Sequence, residues 1–189
     1  MNRDLLAFCT SETIPLDTRT VFSNAKLLIE NAEISEAIDQ LAIRIIVDFH
    51  ERHPVILFNL RDAVWIFSML TQRFFFPYTS GYCELEADQD SPETVWKMEP
   101  IVDVKDRDIL FLIGELRNVD EIKRLNLWAE KQGALGVSVV TLVDQTDDVA
   151  HPHAFYSCLR PKAKKVFGCG LSYDGYGGGL PHIYTISEV

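Results

Sequence analysis

Cysteine is scarce in this chain and never paired. Cys9, Cys83, Cys158 and Cys169 are the whole complement, and no two form a CxxC. A disulfide scaffold and a zinc spacing are thereby excluded, and the four read as reduced thiols of a cytoplasmic protein. Basic charge is short as well: 18 Lys and Arg stand against 28 Asp and Glu, a net charge of −10. A non-specific nucleic-acid binder needs the opposite balance. Long hydrophobic runs are missing. No uninterrupted apolar run exceeds five residues, and the block around 74–76 is bounded by Arg73 and Pro77, so no membrane span is expected. The opening MNRDLLAFCTSETIP has no apolar stretch of signal-peptide length after Arg3. The chain does have 189 residues, 47% of them hydrophobic and 24% charged. That suffices for one globular domain with a sizeable core and argues against disorder.

Periodicity is weak over the first ~30 residues, which read as an N-terminal extension with one short helix, packed on a domain spanning 31–189. From Ile34 the signal sharpens. Ile34, Ala37, Ile38, Leu41, Ile45 and Phe49 recur at helical spacing, and His53-Pro54 ends the helix. Residues 55–58 (VILF) form a short continuous apolar run, the mark of a strand buried on both faces. A second apolar helix runs from Val64 to about Phe75. Residues 78–86 alternate as a strand, 87–93 (ADQDSPE) make an acidic tip, and 94–98 pair back as a hairpin.

Residues 108–113 (DILFLI) are the strongest buried strand. Asn118 or Asp120 caps a helix running through Lys131 that Gly133 ends. Residues 137–143 are the next strand, with shorter ones near 154–158, 166–168 and 182–186. This alternation predicts an α/β fold, a parallel sheet flanked by helices. The glycine-rich segment 168–179 forms a small C-terminal lobe over one edge. Ligands of such sheets sit beyond the carboxyl ends of the strands, which singles out the turns at 59–63, 113–119 and 143–148.

Each polar group there has a sharp and a bland reading. Arg117 with Asn118 at a helix start is an anion site, or a solvated helix start with a simple cap. Asp144, Asp147 and Asp148 hold a cation, or line a solvated loop. His151 and His153 lack a third metal ligand at usable spacing and read as a surface turn. His182 and the cysteines read as structural. The basic stretch 157–165 (SCLRPKAKK) contacts a phosphate-bearing ligand, or balances local charge. The aromatics Trp65, Phe67, Phe74, Phe75 and Phe76 belong to the core, with a dimer face as second choice.

The order of these pieces resembles the hypoxanthine-guanine phosphoribosyltransferases, a branch of the type I phosphoribosyltransferase fold. The resemblance runs from about Asn24 to Val189. It is carried by VILFNLRDA, by SGYCELEADQDSPETVW, by DVKDRDILFLIGELRNVDEIKRL, by GALGVSVVTLVDQ and, most specifically, by FGCGLSYDGYGGGLPHIYTIS. It implies a parallel sheet with a C-terminal hood lobe. It also implies transfer of ribose 5-phosphate from phosphoribosyl pyrophosphate (PRPP) to a purine, giving IMP or GMP.

Family members hold the ribose hydroxyls with two adjacent carboxylates, a third carboxylate near the purine N7, and a Thr/Ser-Gly phosphate turn at a helix start. Magnesium neutralises the leaving group. On this alignment Ile113 and Gly114 stand at the paired acids, Arg117 at the third, and Asn118 and Val119 at the phosphate turn. Glu115 is the one residual acid and the single catalytic candidate. Asp144 stands at a purine-reading lysine, Lys165 (beside Val166) at the base-stacking aromatic, and Ser172 at the magnesium aspartate. Gly178 or a neighbour stands at a pyrophosphate arginine. Arg61 and Asp62 make the first turn bulky and charged.

Losing each group costs ~1–4 kcal/mol of transition-state stabilisation, against a typical enhancement of roughly 8–23 kcal/mol. The main expectation is therefore a family member with lost or strongly reduced transfer, binding a purine nucleotide, PRPP or a phosphate-like anion without magnesium. It would act as a homodimer, or as a regulatory subunit paired with an authentic enzyme. The alternative is an active hypoxanthine-guanine phosphoribosyltransferase using Glu115 and magnesium. A third reading is an anion sensor centred on Arg117.

Overall fold

The computed structural model describes residues 3–85, 96–146, 155–163 and 165–186. A 3-10 turn (Arg3–Leu5) leads into α1 (Leu6–Thr10), α2 (Leu16–Asn24) and β1 (Lys26–Ile29), then α3 (Asn31–Phe49), β2 (Val55–Asn59) and α4 (Val64–Thr71). Next come β3 (Thr79–Leu85), β4 (Trp96–Met98), β5 (Asp108–Leu116), α5 (Val119–Lys131), β6 (Gly136–Asp144), β7 (Phe155–Leu159), β8 (Val166–Phe167) and β9 (Ile183–Thr185).

The main sheet has the order β4-β3-β2-β5-β6-β7. Its strands are parallel except β4, which runs antiparallel to β3. Both faces are covered, and the central strands divide their side chains between them. Ile109, Phe111 and Ile113 of β5 pack with Ile122, Leu125 and Ala129 of α5. Leu110 and Leu112 pack on the other face with Ile34, Ile38, Leu41, Ile45 and Phe49 of α3 and Ile66 and Leu70 of α4. A second, antiparallel sheet (β1-β9-β8) forms the C-terminal lobe. Its own core is Leu5, Phe22, Phe167, Leu180 and Tyr184.

The ends of α5 follow local chemistry. The Asn118 side chain accepts the Asp120 N–H at 2.8 Å. At the other end Gly133, at φ +74°, turns the chain. There Gly133 N–H reaches the Glu130 carbonyl and Ala134 N–H the Ala129 carbonyl, a pairing that closes a helix C-terminus. The start of α3 is satisfied from outside the helix. The Asn31 N–H donates to His182 Nδ1 at 2.9 Å, and Asn31 Nδ2 donates to the Pro181 carbonyl. His182 thus ties the hood lobe to α3.

Several expectations are corrected. The first 30 residues hold two α-helices and a strand rather than one short helix, because Leu5 and Phe22 dock on Phe167 and Tyr184. Such short helices are marginal alone and owe their existence to that packing. The second apolar helix stops at Thr71, short of Phe75. Phe74 and Phe76 instead lie tilted against each other and meet Tyr78 edge-on, while Phe75 is exposed. The main sheet is parallel as expected, and the expected hairpin strand, β4, forms its antiparallel edge. β5 runs on to Leu116 and β6 to Asp144, so Ile113, Gly114, Glu115 and Asp144 lie in strands where turns were expected. The acidic tip 87–93, Asp147, Asp148, His151, His153 and Lys164 lie outside the described residues. No helix among the described residues is long and apolar enough to cross a membrane.

Candidate functional site

The carboxyl ends of β2, β5 and β6 meet at one place. After β2 the chain turns through Leu60, Arg61 and Asp62 before α4, and that turn folds back over β5. The Asp62 carboxylate accepts the Gly114 N–H at 3.2 Å and the Asn59 Nδ2–H at 3.0 Å. Asn59 is itself buried, and its Oδ1 accepts the Leu85 N–H. The turn therefore locks to the end of β5 through one inward carboxylate, while Arg61 stays exposed.

Gly114 sits where no side chain fits. A Cβ there would stand 2.3 Å from the Asp62 carbonyl oxygen and 2.8 Å from Leu171 Cδ2. A Cβ on Gly170 would meet the Trp65 Cβ at 2.8 Å. Three segments thus close on one another: the 59–63 turn, the end of β5, and the start of the glycine-rich lobe with the buried Leu171. Thr141 on β6 fixes the same spot, its hydroxyl donating to the Val143 and Gly114 carbonyls.

Glu115 follows in the strand, its side chain 12% exposed. Oε2 accepts from Arg117 Nη2 at 2.8 Å. Oε1 is buried and meets no donor among the described residues. Burial lifts the Glu115 carboxyl above the ordinary carboxylate range; Arg117 opposes the shift and the nearby Asp62 charge adds to it. Asp62 is raised by burial too, against the pull of the Gly114 N–H, Arg61 and Asn59. Glu121 in the first turn of α5 is raised chiefly by burial. The site is a group of desolvated carboxyls bordered by Arg61, Arg117 and Arg124.

The β5–β6 register places Asp144 beside Leu116. Its side chain is 1% exposed and lies 2.8 Å from Arg160 Nε. Oδ1 accepts the Thr146 N–H and hydroxyl at 3.0 and 2.7 Å. Asp144 is an ion-paired strand residue, where a solvated loop acid was expected.

The remaining candidates separate. Arg117 and Asn118 reach the same helix start, but each is already engaged: Asn118 Oδ1 accepts the Asp120 N–H and Arg117 donates to Glu115. Lys165 is exposed; its carbonyl accepts the Thr185 hydroxyl and the Ile186 N–H. Val166 is buried in β8. Ser172 is exposed next to Leu171. Among the described residues no three of His, Cys, Asp and Glu are placed to hold a metal ion. Magnesium draws most of its oxygens from water and substrate phosphates; the carboxyls at the end of β5 are Asp62 and Glu115, and Glu115 is tied to Arg117.

Sequence reasoning missed Glu121, and it named the turn 59–63, the basic stretch 157–165 and the glycine-rich segment 168–179 without singling out Asn59, Arg160, Gly170 or Leu171 within them. The basic stretch drew notice to Arg160, but its meeting with Asp144 follows only from the β6–β7 register, which sets Leu159 opposite Val143. Leu171 and Gly170 likewise reach Gly114 only by tertiary closure.

No protein-family model matches the chain. It is 25% identical over 170 residues to hypoxanthine-guanine phosphoribosyltransferase of Streptococcus pneumoniae, covering 86% of this chain and 93% of that protein, in each of two strains. Among solved structures it matches a hypoxanthine-guanine phosphoribosyltransferase from Bacillus anthracis with TM-score 0.78 and 15% identity, over 86% of this chain and 97% of that one. It matches a hypoxanthine phosphoribosyltransferase from Staphylococcus aureus with TM-score 0.76 and 17% identity, over 86% and 92%.

Proposed function

Since the chain is a divergent member of the hypoxanthine-guanine phosphoribosyltransferase family, on the type I phosphoribosyltransferase fold, we propose that it has lost or strongly reduced phosphoribosyl transfer and works by binding. Its ligand is a purine nucleotide, PRPP or a phosphate-like anion held at the carboxyl ends of β2, β5 and β6. It acts in the cytoplasm, as a homodimer or paired with an authentic transferase. Residues 1–30 serve as an extension packed on the 31–189 domain.

One observation supports this reading above others: the end of β5 is filled by the chain itself. The Asp62 carbonyl and Leu171 occupy the space a side chain at Gly114 would need, and Glu115 is tied to Arg117. A sugar ring and its developing positive charge need acids with room to converge on them. Catalysis rewards groups preorganised toward the transition state, and here Asp62 is held by Gly114 and Asn59 and one Glu115 oxygen by Arg117.

The test is turnover. With hypoxanthine or guanine, PRPP and magnesium, formation of IMP or GMP is expected at less than about a thousandth of the rate of an authentic enzyme assayed alongside, equivalent to more than ~4 kcal/mol of lost stabilisation. Turnover at an ordinary rate that Glu115→Ala abolishes would establish the second reading, an active transferase. That reading has its own support. Glu115 Oε1 is buried without a donor among the described residues, and Asp62 brings a second carboxyl to it from a different loop. Clustered carboxyls with perturbed proton affinity are a common mark of a working site.

A further inference from the structure

Resting on the ligand-binding reading above, we propose that Arg160, oriented by Asp144, recognises an acceptor oxygen of the bound nucleotide.

The pair is built by strand register. β6 and β7 are parallel with Val143 opposite Leu159, so the next residue of each strand, Asp144 and Arg160, emerge side by side at the carboxyl edge of the sheet. Ligands of parallel sheets gather at that edge. Asp144 is almost wholly out of water, at 1% exposure, while Arg160 is half exposed. Burying a carboxylate is costly, and replacing a buried ion pair by apolar groups commonly does as well for stability. A charge kept here is better explained by what it orients.

Asp144 is itself held firmly. Two Thr146 donors fix Oδ1, and its backbone is paired across to Leu116. Gln145 Nε2 donates to the Ala163 carbonyl at 2.7 Å, tying the segment after β7 to the end of β6. The contact with Asp144 is made through Nε, and a guanidinium carries five N–H donors in a rigid fork. Arg160 therefore offers a preoriented donor edge on the exposed side. Lys162 and Lys165 are exposed on the same segment, an exception in a chain of net charge −10. In this arrangement Asp144 is a positioning residue and Arg160 the group that touches ligand.

An acceptor oxygen can be the carbonyl of a 6-oxopurine or an oxygen of the phosphate, and three probes separate these. Wild-type protein is titrated by calorimetry with GMP, AMP and inorganic phosphate, alongside Arg160→Lys, Asp144→Asn, Arg160→Gln and the double variant Asp144→Asn/Arg160→Gln. The double variant leaves no unpaired buried carboxylate. Arg160→Lys and Arg160→Gln are expected to weaken GMP about 10- to 100-fold, the range for a charged hydrogen bond. The double variant should bind no worse than Arg160→Gln alone, because Asp144 acts through the arginine. Loss confined to GMP assigns the oxygen to the base. Equal loss for GMP, AMP and phosphate assigns it to the phosphate. Variants with wild-type far-UV circular dichroism and unchanged affinity for all three overturn the inference and leave the binding reading standing. A wild type that binds none of the three overturns both.

Discussion

A carboxylate at the end of a buried strand loses most of its water, and Glu115 does so with one oxygen on Arg117 and the other without a donor among the described residues. Its proton affinity is raised in the fold, chiefly by burial. The folded state therefore binds the Glu115 proton more readily than the unfolded chain does. The corresponding stability is complete below the ordinary glutamate value of about 4.3 and is lost as pH rises through the raised folded value. Asp62 and Glu121 shift in the same direction and add the same sign. Glu115→Gln removes one contribution to this slope. Urea unfolding at a series of pH values should show the variant gaining on the wild type as pH rises above about 4.3. Parallel profiles would mean that Glu115 titrates as an exposed carboxyl does. At this scale the sequence displayed Glu115 as the one acid of its run but not its neighbour. Asp62 lies 53 positions earlier, and only the fold of the 59–63 turn over β5 joins them.

Among the elements, α5 and α2 contrast. α5 is legible from its own residues: Asn118 caps it, Ile122, Leu125 and Ala129 make its stripe, and Gly133 ends it. α2 has nine residues and two buried ones, Thr18 and Phe22. Its amphipathic signal is weak because its contact with the rest of the chain is a point rather than a stripe. Phe22 is fully buried. It stacks on Phe8 at 5.1 Å between ring centroids and meets Phe167 edge-on at 4.8 Å. Thr18 donates to Asp174 across the same boundary. Phe22→Ala should destabilise the protein by about 3–5 kcal/mol, and Phe22→Leu by much less, in denaturant unfolding. A loss below about 1 kcal/mol for the alanine variant would show that the α2 docking contributes little.

Over the whole molecule, three of the four thiols are withdrawn from chemistry by the core. Cys83 and Cys169 are buried and Cys158 is half-buried. Burial pushes each thiol up to about 12, so the reactive thiolate is scarce at neutral pH. Titration of native protein with Ellman's reagent at neutral pH should release about one fast equivalent, from the half-buried Cys9, with the others reacting only after guanidinium unfolding. Fast native reaction of Cys158 would mean that the end of β7 opens readily.

The sequence by itself determined the alternation of buried strands and helices, the caps of α5, and the resemblance of the late glycine-rich lobe. Those features depend on local periodicity and on backbone preferences that each segment carries alone. Tertiary structure alone decided that Asp62 turns inward, that Leu171 fills the space over Gly114, and that Asp144 meets Arg160. Each of those contacts joins residues from separate segments, and strand register and close packing, not local composition, determine which side chains meet.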